Sequence, residues 1–339
     1  MSGIPYKTPL AVLAAVAALG AGCGGGAGDS LTIYSGREEE IVAPLLERFE
    51  QASGVDVEVR YGESAELAAT ILEEGERSPA DVFFAQDAGS LGAVAEAGRL
   101  AELPSRTLER VARAYRDPGG RWVGTSGRVR VVAYNTDALS AEELPDSILD
   151  FVHPRWKGKI GLPPTNASFQ AFVTAMRLSL GEQRTRAWLD GIKTNRPTFY
   201  EKNGSVLEAL ASGEIEVGFV NHYYLYLLRE EQPDAPVANH FLKRGDPGAL
   251  VNVAGVGIVD GTEDPGDAER FVEYLLSDEG QRFYSEEAEE AEYPLVAGIE
   301  PRDDLPPLAG LEGPRVGLGE LGAELERTLE LLSEAGYTA

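Results

Sequence analysis

The segment 221–226 reads NHYYLY and places three tyrosines and one histidine together in a chain that holds 13 Tyr and three His. A strand predicted over 215–220 ends directly before it, so Tyr223 and Tyr224 fall on a strand-to-helix turn. At such a turn both side chains can reach one cleft, whereas inside a helix they would point about 100° apart. Phenols there can hydrogen-bond a ligand or, once deprotonated, bind a hard cation such as Fe³⁺. An aromatic cluster with satisfied hydroxyl groups is the alternative.

Charged residues follow the first predicted strand, 31–34, in the sequence SGREEE. Arg37 can bind an anion through two parallel hydrogen bonds, and Glu38 offers a carboxylate at the same strand end. The alternative is helix initiation, because Ser35 can cap a helix and acidic residues in a first turn interact favourably with the helix dipole.

Polar residues also follow the strand 81–84 and precede two predicted helices. Gln86 and Asp87 come directly after this strand, where Asp87 can equally be a helix cap. The sequences PPTNAS at 163–168 and NGS at 203–205 each lead into a helix. The backbone N–H groups and hydroxyls at such helix starts can bind an anion.

The sequence lacks the usual signatures of an enzyme. It contains neither a G-x-S-x-G elbow nor a P-loop, and its three histidines do not have the spacing of a zinc site. We therefore predict a binding protein that is not an enzyme.

The net charge and the length of the chain restrict the class of protein further. With 30 Lys and Arg against 56 Asp and Glu, the formal net charge is −26, which argues against binding nucleic acid or an anionic membrane through a basic face. A chain of 339 residues exceeds what one compact core usually covers, so we expect two lobes.

The N-terminus is typical of an exported protein. A basic start at Lys7, an apolar run over 9–19 and small residues after it predict a signal peptide at 1–22. Cys23 is the only cysteine, so no intramolecular disulfide can form; its position resembles that in a bacterial lipoprotein signal, where the cysteine is lipidated. The Gly-rich segment 23–30 then predicts a flexible tether, and we expect an extracytoplasmic protein anchored to the membrane through Cys23.

The elements that would position these residues follow from hydrophobic spacing. The region 31–97 predicts a β-α-β-α-β-α order, which is typical of a parallel sheet with helices on both faces. A strong strand is predicted at 129–134, a helix at 167–180 and a last helix from about 318 to 335. Open α/β sheets bind ligands at the carboxyl ends of their strands, and the tyrosine pair lies at such an end.

Ordered segment matches from about residue 31 to at least 294 resemble the ferric-iron-binding proteins of bacterial ABC importers. The matching segments are TIYSGRE (32–38), LEEGERSPADVFF (72–84), SGRVRVVAYN (126–135), WKGKIGLPPTNASF (156–169), YEKNGSVLEAL (200–210), GFVNHYYLYLL (218–228), DPGALVNVAG (246–255) and EYPL (292–295).

The resemblance implies an α/β, two-lobed periplasmic-binding-protein fold of type II. Each lobe would be a mixed sheet flanked by helices, and the chain would cross between lobes at a hinge. We expect one lobe from 31–126 with about 253–299, and the other from 127–252 with about 300–339.

The resemblance also implies a site. Tyr223 and Tyr224 would be phenolate ligands to Fe³⁺, with Glu38 as a further metal ligand and carbonate or phosphate as a synergistic anion. The matching anion-binding positions are Arg37, Asn166, Ala167, Ser168, Asn203 and Asn221.

Two positions depart from the family pattern. Glu38 stands where some members have a histidine ligand, and Gln86 stands where the same members have a glutamate. Glu38 can still bind a hard cation through oxygen, whereas neutral Gln86 is a poor Fe³⁺ ligand. Gln86 and Asp87 are therefore candidates for a first or second coordination shell, which water or further anion would complete.

We predict a monomeric extracytoplasmic solute-binding protein that captures Fe³⁺ with an anion between its lobes and closes by hinge bending. It would deliver the ion to the permease and ATPase subunits of an ABC importer and bind no nucleic acid. The sequence leaves open the same fold and pathway with a polyamine or a small organic or inorganic anion as ligand. A secreted enzyme is the least supported alternative.

Overall fold

The computed structural model describes residues 30–287 and 291–337. The predicted signal peptide, Cys23 and all of the predicted tether except Ser30 lie outside the described residues. Within the described ranges, no helix combines the length and the apolar character that crossing a membrane requires.

The described chain alternates strands with helices. The strands are β1 Leu31–Ser35, β2 Val57–Tyr61, β3 Val82–Ala85, β4 Val123–Asn135, β5 Ile160–Leu162, β6 Thr198–Phe199, β7 Val217–Asn221, β8 Val237–His240, β9 Val251–Ile258 and β10 Tyr293–Pro294. The α-helices are α1 Glu39–Ser53, α2 Ser64–Glu74, α3 Ala88–Glu96, α4 Ser105–Leu108, α5 Ala167–Leu180, α6 Glu182–Thr194, α7 Asn203–Ala211, α8 Tyr224–Glu231, α9 Pro265–Leu275, α10 Asp278–Arg282, α11 Glu320–Ala323 and α12 Leu325–Glu334.

The local sequence accounts for the extent of helix α1. In α1 the apolar residues Val42, Leu45, Leu46 and Phe49 recur at helical spacing and are buried. The helix ends at Gly54, whose φ of 71° lies in the left-handed region that favours glycine. The predicted β-α-β-α-β-α order is confirmed, and β1 pairs in parallel with both β2 and β3.

The sheet is mixed, and its long central strand is β4. The strand order is β2-β1-β3-β9-β4-β7-β5-β6. The first half of β4, through Val129, pairs antiparallel with β9, whereas its second half, from Arg130, pairs antiparallel with β7 and β8. The carboxyl end of β7, where the tyrosine pair follows, therefore lies against the middle of β4.

The C-terminal segment departs from the prediction of one last helix, because it forms α11 and α12 with a break at Glu324. Helix α11 contacts α3, and α12 contacts α5. The second contact includes a hydrogen bond of 2.8 Å between the hydroxyls of Thr174 and Thr328 and an ion pair of 3.2 Å between Arg177 and Glu324. The segment thus touches a helix from each of the two lobes that the sequence predicts.

Candidate metal and anion site

Tyr223 and Tyr224 lie side by side at the end of β7. Tyr223 is the residue before α8, and Tyr224 is its first residue. Their rings stack with centroids 4.4 Å apart and an interplanar angle of 28°. Tyr223 is buried and Tyr224 is half-buried. The strand-to-helix turn therefore places the two phenol rings next to each other, as the sequence predicts.

His222 fixes the start of this turn to the centre of the sheet. Its ring is fully buried; Nδ1 accepts a hydrogen bond of 3.1 Å from the backbone N–H of Val129, and Nε2 donates one of 3.0 Å to the carbonyl oxygen of Ala291. Burial lowers the pKa of His222 to about 4. The ring is therefore neutral near pH 7 and acts as a structural link.

The starts of α5 and α7 meet through three of the predicted anion-binding residues. Asn166 caps α5: its Oδ1 accepts hydrogen bonds from the backbone N–H of Ser168 at 3.0 Å and from its hydroxyl at 2.6 Å. The same Oδ1 accepts a hydrogen bond of 3.0 Å from Nδ2 of Asn203, and Nδ2 also donates to the Ser168 hydroxyl at 3.2 Å. Ala167 is the exposed first residue of α5.

Arg130 joins this group and was missed by the sequence analysis. Its Nη1 donates to the Ser168 hydroxyl at 3.0 Å and to Oδ1 of Asn221 at 3.3 Å, and its Nη2 donates to the carbonyl oxygen of Phe219 at 2.5 Å. We call Arg130, Asn166, Ala167, Ser168, Asn203 and Asn221 the anion cradle. A charged residue inside the apolar strand VRVVAY is the sequence signal that could have identified Arg130.

Arg130 also interacts electrostatically with the tyrosine pair. Burial lowers the pKa of Arg130 to about 9, while the charges of Tyr224 and Tyr223, when ionised, act in the opposite direction. The guanidinium thus stays protonated near pH 7 although it is buried. Arg130 therefore carries a positive charge within electrostatic range of both tyrosines.

Arg37 lies in a different cluster from the cradle. Its guanidinium is buried and forms a two-point ion pair with Glu292, with Nη1–Oε1 at 3.1 Å and Nη2–Oε2 at 3.2 Å. Glu292 also accepts a hydrogen bond from the hydroxyl of Ser126 and lies 3.6 Å from Nε of Arg128. Burial opposes the ionisation of Glu292, but Arg37 and Arg128 outweigh it and lower the pKa of this carboxyl.

The other residues that the sequence predicts for the site are Glu38, Gln86 and Asp87, and each has different contacts. Glu38 is exposed directly before α1. Asp87 caps α3, with its two oxygens accepting hydrogen bonds from the N–H and hydroxyl of Ser90 at 2.8 and 2.9 Å. The backbone N–H of Gln86 donates to the hydroxyl of Ser64 at 2.8 Å, and its buried Oε1 has no hydrogen-bond partner among the described residues.

A cavity of about 430 Å³ lies beside the cradle. Arg128, Arg130, Asn221 and Asn252 line it, together with residues of α2, α3, α5, α11 and α12. In the described part of the chain, no three His, Cys, Asp or Glu side chains come together as a metal site would require.

Comparison with known proteins identifies the family. The family model described as bacterial extracellular solute-binding protein matches residues 77–308. The chain belongs to this family. A curated family member, the Fe(3+)-binding periplasmic protein of Serratia marcescens, is 32% identical over 97% of both chains. The major ferric iron-binding protein of Neisseria meningitidis serogroup B is 35% identical over 90% of this chain and 92% of its own.

Solved structures of similar solute-binding proteins support the same family assignment. Iron-bound HitA from Pseudomonas aeruginosa is 34% identical, with a TM-score of 0.81 over 91% of this chain and 99% of its own. The IdiA (FutA) protein of Trichodesmium, solved with iron and citrate, is 29% identical, with a TM-score of 0.82 over 91% of this chain and 100% of its own. The resemblance and the type II two-lobed fold that the sequence predicts are confirmed.

Proposed function

We propose that this solute-binding protein captures Fe³⁺ through the oxygens of Tyr223 and Tyr224, together with an anion in the cradle. The observation that carries the proposal is the stacked tyrosine pair within electrostatic range of Arg130. Phenolate oxygens are hard ligands that suit a trivalent cation, and their negative charges offset part of its charge. The names of the relatives, which are iron-binding or iron-uptake proteins, support the same ligand.

An anion held in the cradle would supply further negative charge to offset that of Fe³⁺. An anion between Arg130 and the start of α5 would meet a guanidinium and the Ser168 hydroxyl, at the helix end where the dipole favours negative charge. It could then bind the metal ion from the side opposite the phenols. Carbonate and phosphate are the small anions that the resemblance implies. Glu38, Gln86 and Asp87 remain proposed contributors from the other side of the cleft.

The alternatives are less well supported. A polyamine would meet the guanidinium groups of Arg128 and Arg130 as well as the carboxylates of Glu63 and Asp87 in the cavity lining, so the lining as a whole does not favour a polycation. An anion without a metal would use the cradle and leave the tyrosine pair without a role. The relatives are named as binding or uptake proteins, which favours a carrier over a secreted enzyme.

As a carrier, the protein would act outside the cytoplasm and deliver its ion to the permease and ATPase subunits of an ABC importer. We propose that it is a monomer whose lobes, 31–126 with about 253–299 and 127–252 with about 300–339, close by bending where β4 and β9 pass between them. Lipidation of Cys23 would anchor it to the membrane.

The test is a visible absorption titration with ferric citrate, with and without bicarbonate. We expect a tyrosinate-to-iron charge-transfer band that saturates at one ion per protein and disappears in a Tyr223→Phe/Tyr224→Phe variant. Tyr115→Phe, which removes a buried phenol on another element, should retain the band. Absence of the band in the wild-type protein would overturn the assignment of iron.

A further inference from the structure

The cavity beside the anion cradle is larger than a small inorganic anion needs. Its volume of about 430 Å³ falls within the range of about 300–1,000 Å³ that is typical of pockets for organic ligands. Carbonate or phosphate, seated in the cradle at one end, would leave most of this space to water.

Most of the cavity wall is apolar. The side chains that form it come from α2, α3, α5, the end of the loop before β9, α11 and α12: Leu72, Ala93, Ala171, Leu250, Leu321 and Leu325. Leu72 is 40% exposed and is one of three large apolar side chains that are exposed in the described part of the chain. A wall of this composition is stabilised when an apolar ligand group covers it.

The charged residues that line the cavity are Arg128, Arg130, Glu63 and Asp87. Asp87 already caps α3, whereas the two arginines have unused hydrogen-bonding capacity. Arg128 is 7% exposed, lines the cavity, and its nearest carboxylate, Glu292, already forms a two-point pair with Arg37. The Nε atoms of Arg128 and Arg130 have no hydrogen-bond partner among the described residues. Buried guanidinium groups of this kind are suited to bind carboxylates.

Contacts between the helices hold the walls of the cavity apart. The backbones of α3 and the segment around α11 touch at Gly89–Gly322 and at Gly92–Gly319, and α12 is attached to α5 through Thr328 and Glu324. Bringing α3 against α5 would require breaking one of these contacts. In this conformation the cavity therefore has walls that are held in place by contacts between helices.

We infer that the anion bound with the metal is an organic acid with an apolar body. Its carboxylate would lie at Arg128, Arg130 and the cradle, and its body would lie against the alanine and leucine wall. The inference rests on the proposed function, because it assumes that Tyr223 and Tyr224 hold Fe³⁺. It replaces carbonate or phosphate by a ligand that fills the cavity.

Salicylate is a suitable probe because it joins a carboxylate to an aromatic ring. Protein without iron would be mixed with Fe³⁺ and radiolabelled salicylate, bicarbonate or phosphate, and the iron and anion retained after gel filtration would be counted. We expect about one salicylate per bound iron, and at least tenfold tighter retention of salicylate than of bicarbonate or phosphate.

Two variants test whether the bound organic acid lies against the apolar wall of the cavity. Ala171→Leu narrows the cavity, and Leu325→Gln removes apolar contact without adding volume; each should weaken salicylate retention about tenfold while iron is still bound with bicarbonate. Ala187→Leu, on the exposed face of α6, is the matched control and should behave as wild type.

The outcomes separate this inference from the proposed function. Retention of iron with bicarbonate or phosphate but not with salicylate overturns the organic acid and leaves the iron site standing. Equal salicylate retention in Ala171→Leu, Leu325→Gln and the wild-type protein also overturns it. Failure to retain iron with any of the three anions overturns both.

Discussion

Arg130 connects the two parts of the site at the level of single residues. Its guanidinium hydrogen-bonds Ser168 and Asn221 in the cradle and interacts electrostatically with both tyrosines. Fe³⁺ with two phenolates still carries positive charge, and a doubly charged anion in the cradle would make the whole group negative. The guanidinium therefore favours the complete group of ion, phenolates and anion.

Replacing Arg130 by Met should therefore shift iron binding to higher pH. Without the cation, the group of ion, phenolates and anion is less stable, and in the presence of bicarbonate we expect the pH midpoint of the iron–tyrosinate band to rise by about one unit. Arg177→Met removes a half-buried arginine that pairs with Glu182 and Glu324, and it should leave the midpoint unchanged. An unchanged or lower midpoint in Arg130→Met would contradict this role.

The ion pair between Arg37 and Glu292 has a structural role at the same scale. Glu292→Gln should lower the free energy of unfolding by about 3–5 kcal/mol, because it leaves Arg37 buried without its counter-charge. Glu74→Gln affects the more exposed pair with Arg60 and should cost no more than about 1 kcal/mol. Urea unfolding of both variants measures the difference.

This pair also predicts a pH dependence. Arg37 and Arg128 lower the pKa of Glu292 below its ordinary value of 4.5 in spite of its burial. Its stabilising contribution is therefore fully present above about pH 4.5 and is lost as the pH falls through the lowered value. The stability difference between wild type and Glu292→Gln should shrink in acid, and a difference that grew below pH 4.5 would contradict the assignment.

At the residue scale, the sequence predicts what depends on neighbours along the chain. The stacked tyrosines follow from a strand that ends at Asn221, and the cap at Asn166 follows from the sequence before α5. The partner of Arg37 could not be predicted, because Glu292 lies 255 positions away along the chain. For the same reason, the sequence suggests an anion contact for Arg37, whereas the structure shows its guanidinium paired with a carboxylate.

At the scale of elements, the contact between α3 and α11 depends on glycine. A Cβ atom on Gly92 would lie 2.2 Å from the carbonyl oxygen of Gly319, far inside van der Waals distance. The two backbones can approach this closely because neither residue carries a side chain.

Gly92→Ala should therefore lower the free energy of unfolding by about 1–3 kcal/mol, through overpacking at the α3–α11 contact. Gly266 in α9 is the matched control, because a Cβ atom there would meet nothing within 4 Å; Gly266→Ala should raise the stability by about 0.4–1 kcal/mol. Equal effects of the two substitutions in urea unfolding would show that the glycine contact is not tight.

Hydrophobic spacing predicts the elements themselves well and their contacts poorly. The order of β1 to α3 follows from local periodicity, and α5 spans the predicted range 167–180. The break between α11 and α12 and the contact of α11 with α3 depend on tertiary packing. The apolar cavity wall combines five helices and the loop before β9, so it cannot be predicted from local sequence.

At the scale of the whole molecule, the predicted class follows from export signals, length and ordered motif matches. The net charge of −26 suits a protein that meets cations rather than nucleic acid. The shared strand β4 explains how one sheet serves both sides of the cleft, because it pairs with β9 through Val129 and with β7 from Arg130 onward.

The most direct test of the central claim is an anomalous diffraction map from crystals of the iron-loaded protein, recorded at the iron absorption edge. Our account predicts one strong peak about 2 Å from the phenol oxygens of both Tyr223 and Tyr224, with density for an anion between the metal and the cradle. A peak held by carboxylates elsewhere on the acidic surface, with the tyrosine pair vacant, would contradict it.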